Sequence, residues 1–286
     1  MKAYLDILRE VYREGTMKSS RPGIMCKSVT AVLFKHDMST GFPLLTTKKM
    51  GLKNICTELE FFIKGLSSKA WLQERKCHIW DEWCNPQKVP YSTDKEQQER
   101  MKAEDDLGRI YGVQWRDWRG LDSGQKMVVI DQFQNAIEAL KKDPCNRRML
   151  ISAWNPAEID QMALPPCHDS FQLLSDGEHV DLVWRQRSVD VPLGLPYNIA
   201  SYAMLLLLIA RTVGLKPRWL AGQLSDVHIY QNQLEIVPEQ LLLRKPSTLP
   251  QVTLPPGVTD VYSWQAHQFE LTGYTPEPVL KYPISV

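Results

Sequence analysis

The sequence predicts a single α/β domain, a mixed sheet flanked by helices, and three observations lead to it. Segments of helical period (residues 2–14, 52–64, 131–142 and 197–213) are interleaved with segments whose β-branched content or alternation suits strands (29–34 and 180–186). At 286 residues the chain can bury a sizeable core. No internal repeat or low-complexity segment divides it, so residues 1–286 are expected to form one domain.

The elements follow in order. Tyr4, Ile7, Leu8 and Val11 lie at helical spacing, and Gly15 is a plausible stop. Residues 17–28 are short, polar and turn-rich, with Arg21 just before Pro22-Gly23. Val29 to Phe34 reads as a strand. After a turn at 41–49, Leu52, Ile55, Leu59, Phe62 and Ile63 share one helical face, with Glu58 and Glu60 between them. A carboxylate on the buried side of a helix is costly without a partner or a chemical task. The other reading is a solvated helix charge, and for Glu60 both stay open. Trp80 and Trp83 flank two acids; they suit ordinary core or the stacking of a flat ring. Residues 84–107 are polar, without apolar periodicity, and read as an inserted surface segment. The helix at 131–142 stops before Pro144, and the most apolar helix, 197–213, ends at Gly214. Residues 216–256 read as mixed short segments, and 281–286 as a tail that would ordinarily fray.

Composition narrows the function. A net charge of +1 argues against a general nucleic-acid or membrane surface, so anion binding must be local. The longest uninterrupted apolar run, 203–210, is far short of a bilayer span. Six cysteines (26, 56, 77, 84, 145 and 167) behind a start without signal-peptide character lead us to expect free thiols in a reducing cytoplasm. Cys77-His78 and Cys84 have no second pair at zinc spacing, and no metal is expected.

The chemistry concentrates in residues 147–168. Arg147-Arg148 open the stretch and Leu164-Pro165-Pro166-Cys167-His168 close it, the prolines holding Cys167 at a strand end. A thiol attacks as its thiolate, which neighbouring cations favour. Arg147, Arg148, His168 and Arg187 could supply that field or hold a phosphate; a lone cysteine could equally be buried structure.

This stretch, with Gln186-Arg187-Ser188-Val189-Asp190, Gly194 to Ser201, Gly41 to Lys48, Ile79 to Trp83, Tyr111 to Arg116 and His228-Ile229-Tyr230, resembles the thymidylate synthase family, in family order from near residue 21 to the C-terminus. The resemblance implies a homodimer with sheets packed face to face, acting on dUMP with 5,10-methylenetetrahydrofolate as carbon donor. Cys167 is then the nucleophile on C6 of the pyrimidine, in a catalytic set with Glu58, Asn198, Tyr111, His168 and Asp190. Arg21, Arg187 and Ser188 are implied at the phosphate, with Arg147 and Arg148 reaching in from the partner subunit. Gln186 is implied to bind the substrate, with Asn198 at the base and His228 and Tyr230 at the sugar. The folate surface is implied to comprise Ile79, Trp80, Trp83, Asp190, Leu193, Gly194, Tyr197 and the apolar terminal Val286, with Lys48 at the glutamate tail and residues 281–286 as a lid. No nucleic acid or membrane partner is needed.

Departures from the family pattern point to the product. Asp169-Ser170 follow Cys167-His168, Leu224-Ser225 precede Asp226, and Glu60 stands where synthases usually carry an apolar residue. Phage cytidylate hydroxymethylases are similar in that second glutamate and in polar residues after the cysteine. Asparagine rather than aspartate at 198 favours dUMP over dCMP. The resulting expectation is a phage-type dUMP hydroxymethylase, with thymidylate synthase as the alternative. A dCMP hydroxymethylase and a non-catalytic nucleotide- or RNA-binding regulator are more remote.

Overall fold

The computed structural model describes residues 1–21 and 23–284. Helix α1 (Lys2–Glu14), short strand β1 (Thr16–Lys18) and long strand β2 (Cys26–Asp37) open the chain, followed by helices α2 (Leu52–Ile63), α3 (Lys69–Glu74), α4 (Lys95–Ala103) and α5 (Tyr111–Arg116). A hairpin of β3 (Trp118–Leu121) and β4 (Met127–Ile130) leads to α6 (Gln132–Lys142). Strands β5 (Leu150–Ser152), β6 (His168–Ser175) and β7 (His179–Asp190) come next, then helix α7 (Gly194–Val213) and strand β8 (Lys216–Tyr230). A small pair, β9 (Gln251–Thr253) and β10 (Glu270–Thr272), follows.

One six-stranded sheet runs in the order β1-β2-β8-β7-β6-β5. Its pairs are antiparallel except β7–β8, which is parallel because α7 returns the chain to the same end of the sheet. The expected mixed sheet with flanking helices is what forms. Side chains alternate across a strand, and this divides the sheet into two unlike faces. Phe34, Gly222, Trp184, Phe171 and Ile151 pair in one line, and all five are buried beneath the helices. The adjacent line, Leu33, Gln223, Arg185, Ser170 and Ser152, looks outward, with Leu33 64% exposed.

Helix α7 is long and apolar enough to span a bilayer by length and composition, yet 61% of that window is buried inside the protein. Its hydrophobicity serves the core. Helix α2 meets α5 backbone to backbone: a Cβ on Gly112 would lie 2.1 Å from the Phe62 carbonyl oxygen. Only glycine permits that approach, which sets Tyr111 against α2.

Three expectations change. Residues 84–107 contain a helix, α4, whose start is capped by Asp94 accepting from the Gln97 amide at 3.2 Å. It buries little beyond Met101, so no apolar period marks it. Residues 216–230 are one long strand at the centre of the sheet; Pro217 at its second position and the mixed composition conceal it. Part of the turn-rich 17–28 segment belongs to β1 and β2.

Candidate active site

The ends of β6, β7 and β8 open onto a cavity of about 840 Å³, on whose wall lie Arg21, Trp83, Tyr91, Cys167, Arg187, Ser188, Asp190, His228 and Tyr230. Register explains the grouping: Asp190 is opposite His228, and Cys26 opposite Tyr230.

Cys167 stands immediately before β6, so the strand leads away from the thiol. Its amide donates to the Tyr111 hydroxyl at 2.9 Å, and its carbonyl accepts from the Arg187 amide at 2.8 Å. The two prolines do more than stiffen the chain. Their carbonyls accept from the Arg187 guanidinium, Pro166 at 2.8 Å and Pro165 at 2.9 Å, and the guanidinium lies 5.2 Å from the centre of the Trp154 ring. Burial raises the thiol above its ordinary range; Arg187, the Tyr111 hydroxyl and Arg21 oppose that shift without cancelling it. The thiol is thus buried beside the charge that would stabilise its anion.

Tyr111 starts α5 at φ 23°, an uncommon backbone for a bulky residue, held between Phe62 (ring centroids 4.9 Å) and His168 (4.2 Å). Glu58 accepts from the Trp80 indole at 2.7 Å, and burial pushes its carboxyl up to about 7 against that hydrogen bond. Such a group can give or take a proton near neutral pH. Gln186 donates to Asn198 Oδ1 at 2.9 Å.

His168 does not act as a cation beside the thiol, because burial lowers it to about 3 and Nδ1 lies 2.9 Å from the Tyr202 hydroxyl. Arg147 and Arg148 are exposed and stand off the cavity in this chain, so the field at Cys167 comes from Arg187 and Arg21. Lys48 turns inward: its ammonium donates to the Pro192 carbonyl at 2.5 Å, lies 5.1 Å from the Tyr282 ring centre, and is lowered by burial to about 8.

Trp80 is buried and Ile79 is 39% exposed, while Trp83 stacks on Tyr91 at 5.9 Å. Arg21 lies 6.0 Å from the same Tyr91 ring, so the 84–107 segment reaches the cavity and is more than surface. Leu193, Gly194 and Tyr197 lie where α7 begins, and a Cβ on Gly194 would find nothing nearer than 3.8 Å. Asp190 accepts from the Leu193 amide at 2.9 Å and from Gln233 at 3.0 Å. Burial raises the Asp190 carboxyl, and the Gln233 hydrogen bond is the strongest influence against that shift.

Gln233 also donates to the Pro283 carbonyl at 3.1 Å, tying the C-terminal segment to Asp190. The Tyr282 hydroxyl donates to Gln240 Oε1 at 2.7 Å, and Gln240 donates to Thr47 at 3.1 Å. Gln240 belongs to a one-turn π-helix, Glu239–Leu243. Residues 281–284 are thus docked rather than frayed, while Val286 lies outside the described residues. Nothing local in the sequence marked Gln233, Gln240, Tyr91, Trp154 or Tyr202.

The polar departures fall elsewhere. Glu60 is buried, accepts from the Ala266 amide at 2.8 Å and has Lys64 at 3.7 Å. Asp169 and Ser170 line a second recess of about 530 Å³ with Arg185 and Gln223 of the outward face; Cys167 is not part of it, but Arg187 and Trp154 border both cavities. Among the described residues, no three His, Cys, Asp or Glu side chains are grouped to hold a metal. The family profile of thymidylate synthase matches residues 2–286, and the chain therefore belongs to the thymidylate synthase family.

Proposed function

We propose that this protein transfers a one-carbon unit from 5,10-methylenetetrahydrofolate to C5 of dUMP through a covalent adduct between Cys167 and C6. The observation that carries this is the thiol itself, flanked by Arg187 and Arg21 at the mouth of a cavity that also holds Ser188, His228 and Tyr230. A uracil ring is an electron-poor alkene conjugated to a carbonyl, so addition of sulfur at C6 makes C5 nucleophilic and divides one hard substitution into easier steps. A dianionic phosphate entering beside Arg187 and Arg21 suits their guanidinium forks. Family members are typically dimers, and in a dimer the exposed Arg147 and Arg148 of each chain could reach the other's phosphate.

C5 attacks the methylene carbon, loses its proton to a base assisted by Tyr111, and expels tetrahydrofolate to leave an exocyclic methylene. We assign water as its captor. Hydroxide adds to the methylene carbon, the remaining proton passes to solvent, and Cys167 leaves C6 as thiolate, giving 5-hydroxymethyl-dUMP and tetrahydrofolate. Glu58, poised near neutrality beside Trp80, is the group suited to activate that water.

A second reading has a specific observation in its favour. Of the residues that made water capture attractive in the sequence, Glu60 bonds the Ala266 amide, and Asp169 and Ser170 line a recess that does not include Cys167, although it meets the thiol's cavity at Arg187 and Trp154. If water is excluded, hydride from the folate gives dTMP and dihydrofolate. Incubation with dUMP and methylenetetrahydrofolate, with the nucleotide weighed by mass spectrometry and dihydrofolate followed by absorbance, separates the two. A hydroxymethyl product without dihydrofolate is expected. dTMP with matching dihydrofolate establishes the second reading, and no covalent adduct with 5-fluoro-dUMP and folate overturns both.

A further inference from the structure

The geometry points to Trp184 as a positioning residue that sets the pyrimidine preference from inside the core, by fixing which way the Asn198 amide faces. This rests on the proposal that the cavity takes a pyrimidine nucleotide read by Asn198.

An asparagine is in principle indifferent between uracil and cytosine. With its NH2 toward the base it serves the O4 acceptor of uracil, and its oxygen can accept from N3–H. Turned by half a rotation about the last bond, it would accept from the cytosine amino group and donate to N3. Asparagine at position 198 therefore selects uracil only if something holds it in one sense.

Gln186 supplies the hold. It is 2% exposed, and its Nε2 donates to Asn198 Oδ1 at 2.9 Å and to the Ser188 carbonyl at 3.1 Å. Its Oε1 accepts from the Trp184 indole at 3.1 Å. An indole nitrogen only donates and a peptide carbonyl only accepts. Turning the Gln186 amide over would set donor against donor at Trp184 and acceptor against acceptor at Ser188. The sense of Gln186 is thus fixed twice, and with it the sense of Asn198: oxygen toward Gln186, NH2 left for the ligand.

The anchor is itself immobile. Trp184 is fully buried, stacks on Tyr202 at 5.3 Å with 10° between the rings, and lies 5.6 Å from Phe34. Its indole occupies the space over Gly222, its partner in β8, where a Cβ would come within 2.4 Å of the ring. Absence of a side chain at 222 is what lets an indole lie where it can reach Gln186.

The test compares binding of dUMP and dCMP to the full-length protein and to Trp184→Phe, which keeps an aromatic ring on Tyr202 but deletes the N–H. The unaltered protein is expected to prefer dUMP. In Trp184→Phe that preference should fall by about tenfold, mainly because dCMP binds better, since Gln186, then held only by the Ser188 carbonyl, turns more readily and lets the Asn198 amide serve either base. A merely structural role would weaken both nucleotides together, and that result, or an unchanged ratio, would overturn the inference. Gln186→Glu gives an independent reading. A carboxylate can accept from Trp184 but cannot donate to Asn198, so Asn198 must turn its NH2 inward and the preference should move toward dCMP; retention of the dUMP preference counts against the relay. Without any nucleotide, NMR should show the Gln186 and Asn198 side-chain amide protons protected from exchange in the unaltered protein and not in Trp184→Phe. Protection there, combined with failure of the unaltered protein to bind either dUMP or dCMP in the binding measurement, would overturn the substrate assignment and leave the relay as structure alone.

Discussion

At residues 167–170 the two sides of the sheet hold opposite kinds of polar environment. On one side Cys167 opens onto the large cavity, near Arg187, Arg21 and the Tyr111 hydroxyl. On the other, Ser170 donates to Asp169 at 3.1 Å, and Arg185 lies 3.8 Å from the same carboxyl. Two residues lie between the nucleophile and Ser170, yet the pleat and an irregularity between His168 and Ser170 give them different recesses, which meet at Arg187 and Trp154. Helix α2 repeats the lesson: Glu58 bonds Trp80 beside the site, and Glu60, two residues on, bonds Ala266 away from it. Adjacency to a reactive residue in sequence is weak evidence for adjacency to the reaction.

The contrast can be broken or sharpened by substitution. The largest effect is expected for Cys167→Ser, with turnover reduced by at least about a thousandfold. Initial rates, with circular dichroism to show intact folding, check it; substantial residual activity would remove the thiol from the mechanism. Glu58→Gln should lower kcat by about a hundredfold or more, read from steady-state rates across pH. The same variant tests a stability effect. Because folding raises the Glu58 carboxyl from 4.5 to about 7, its contribution is full below about 4.5 and is lost as pH rises through about 7. Unfolding midpoints of the unaltered protein should therefore decline over that window more steeply than those of Glu58→Gln.

Across the helix the sign of the result changes. Glu60→Ala should cost about 1–3 kcal/mol in denaturant unfolding, because the Ala266 amide loses its acceptor, while kcat moves little. A large kcat loss at full stability would return Glu60 to the chemistry. Smallest of all, Ser170→Ala is expected to alter kcat/KM by less than about twofold, as for surface changes away from the site. A change of product in that variant would show that the outward recess communicates with the ring after all.

Much of the architecture is legible where the signal is local. The spans of α1, α2 and α6 follow from apolar spacing, and Cys167, Arg187 and Asn198 stand in motifs that carry their own context. What could not be read depends on distant partners. Trp184, Gln186 and Asn198 become a relay only when β7 meets α7. Gln233 and Gln240 look like ordinary polar residues until the C-terminal segment lies on them. Tyr91 sits in a segment whose charge suggests solvent, and the stack with Trp83 is invisible without the fold. Strand β8 was hidden because a strand inside a mixed sheet need not alternate cleanly, and its proline lies at the start where loss of a donor is tolerated.

The place of β8 also bears on how the protein is made. It pairs with β2 on one side and β7 on the other, joining Cys26 to Tyr230 across some two hundred residues of sequence. A nascent chain on the ribosome therefore carries its N-terminal strands unpaired with the rest of the sheet through most of translation, and after β7 is made the sheet stays in two separate halves until β8 follows. Until residues 216–230 emerge, both halves present unpaired edges and the cavity has no far wall. Chains released before that strand should be recovered as aggregates or protease fragments, whereas loss of the small β9–β10 pair should be far better tolerated during synthesis.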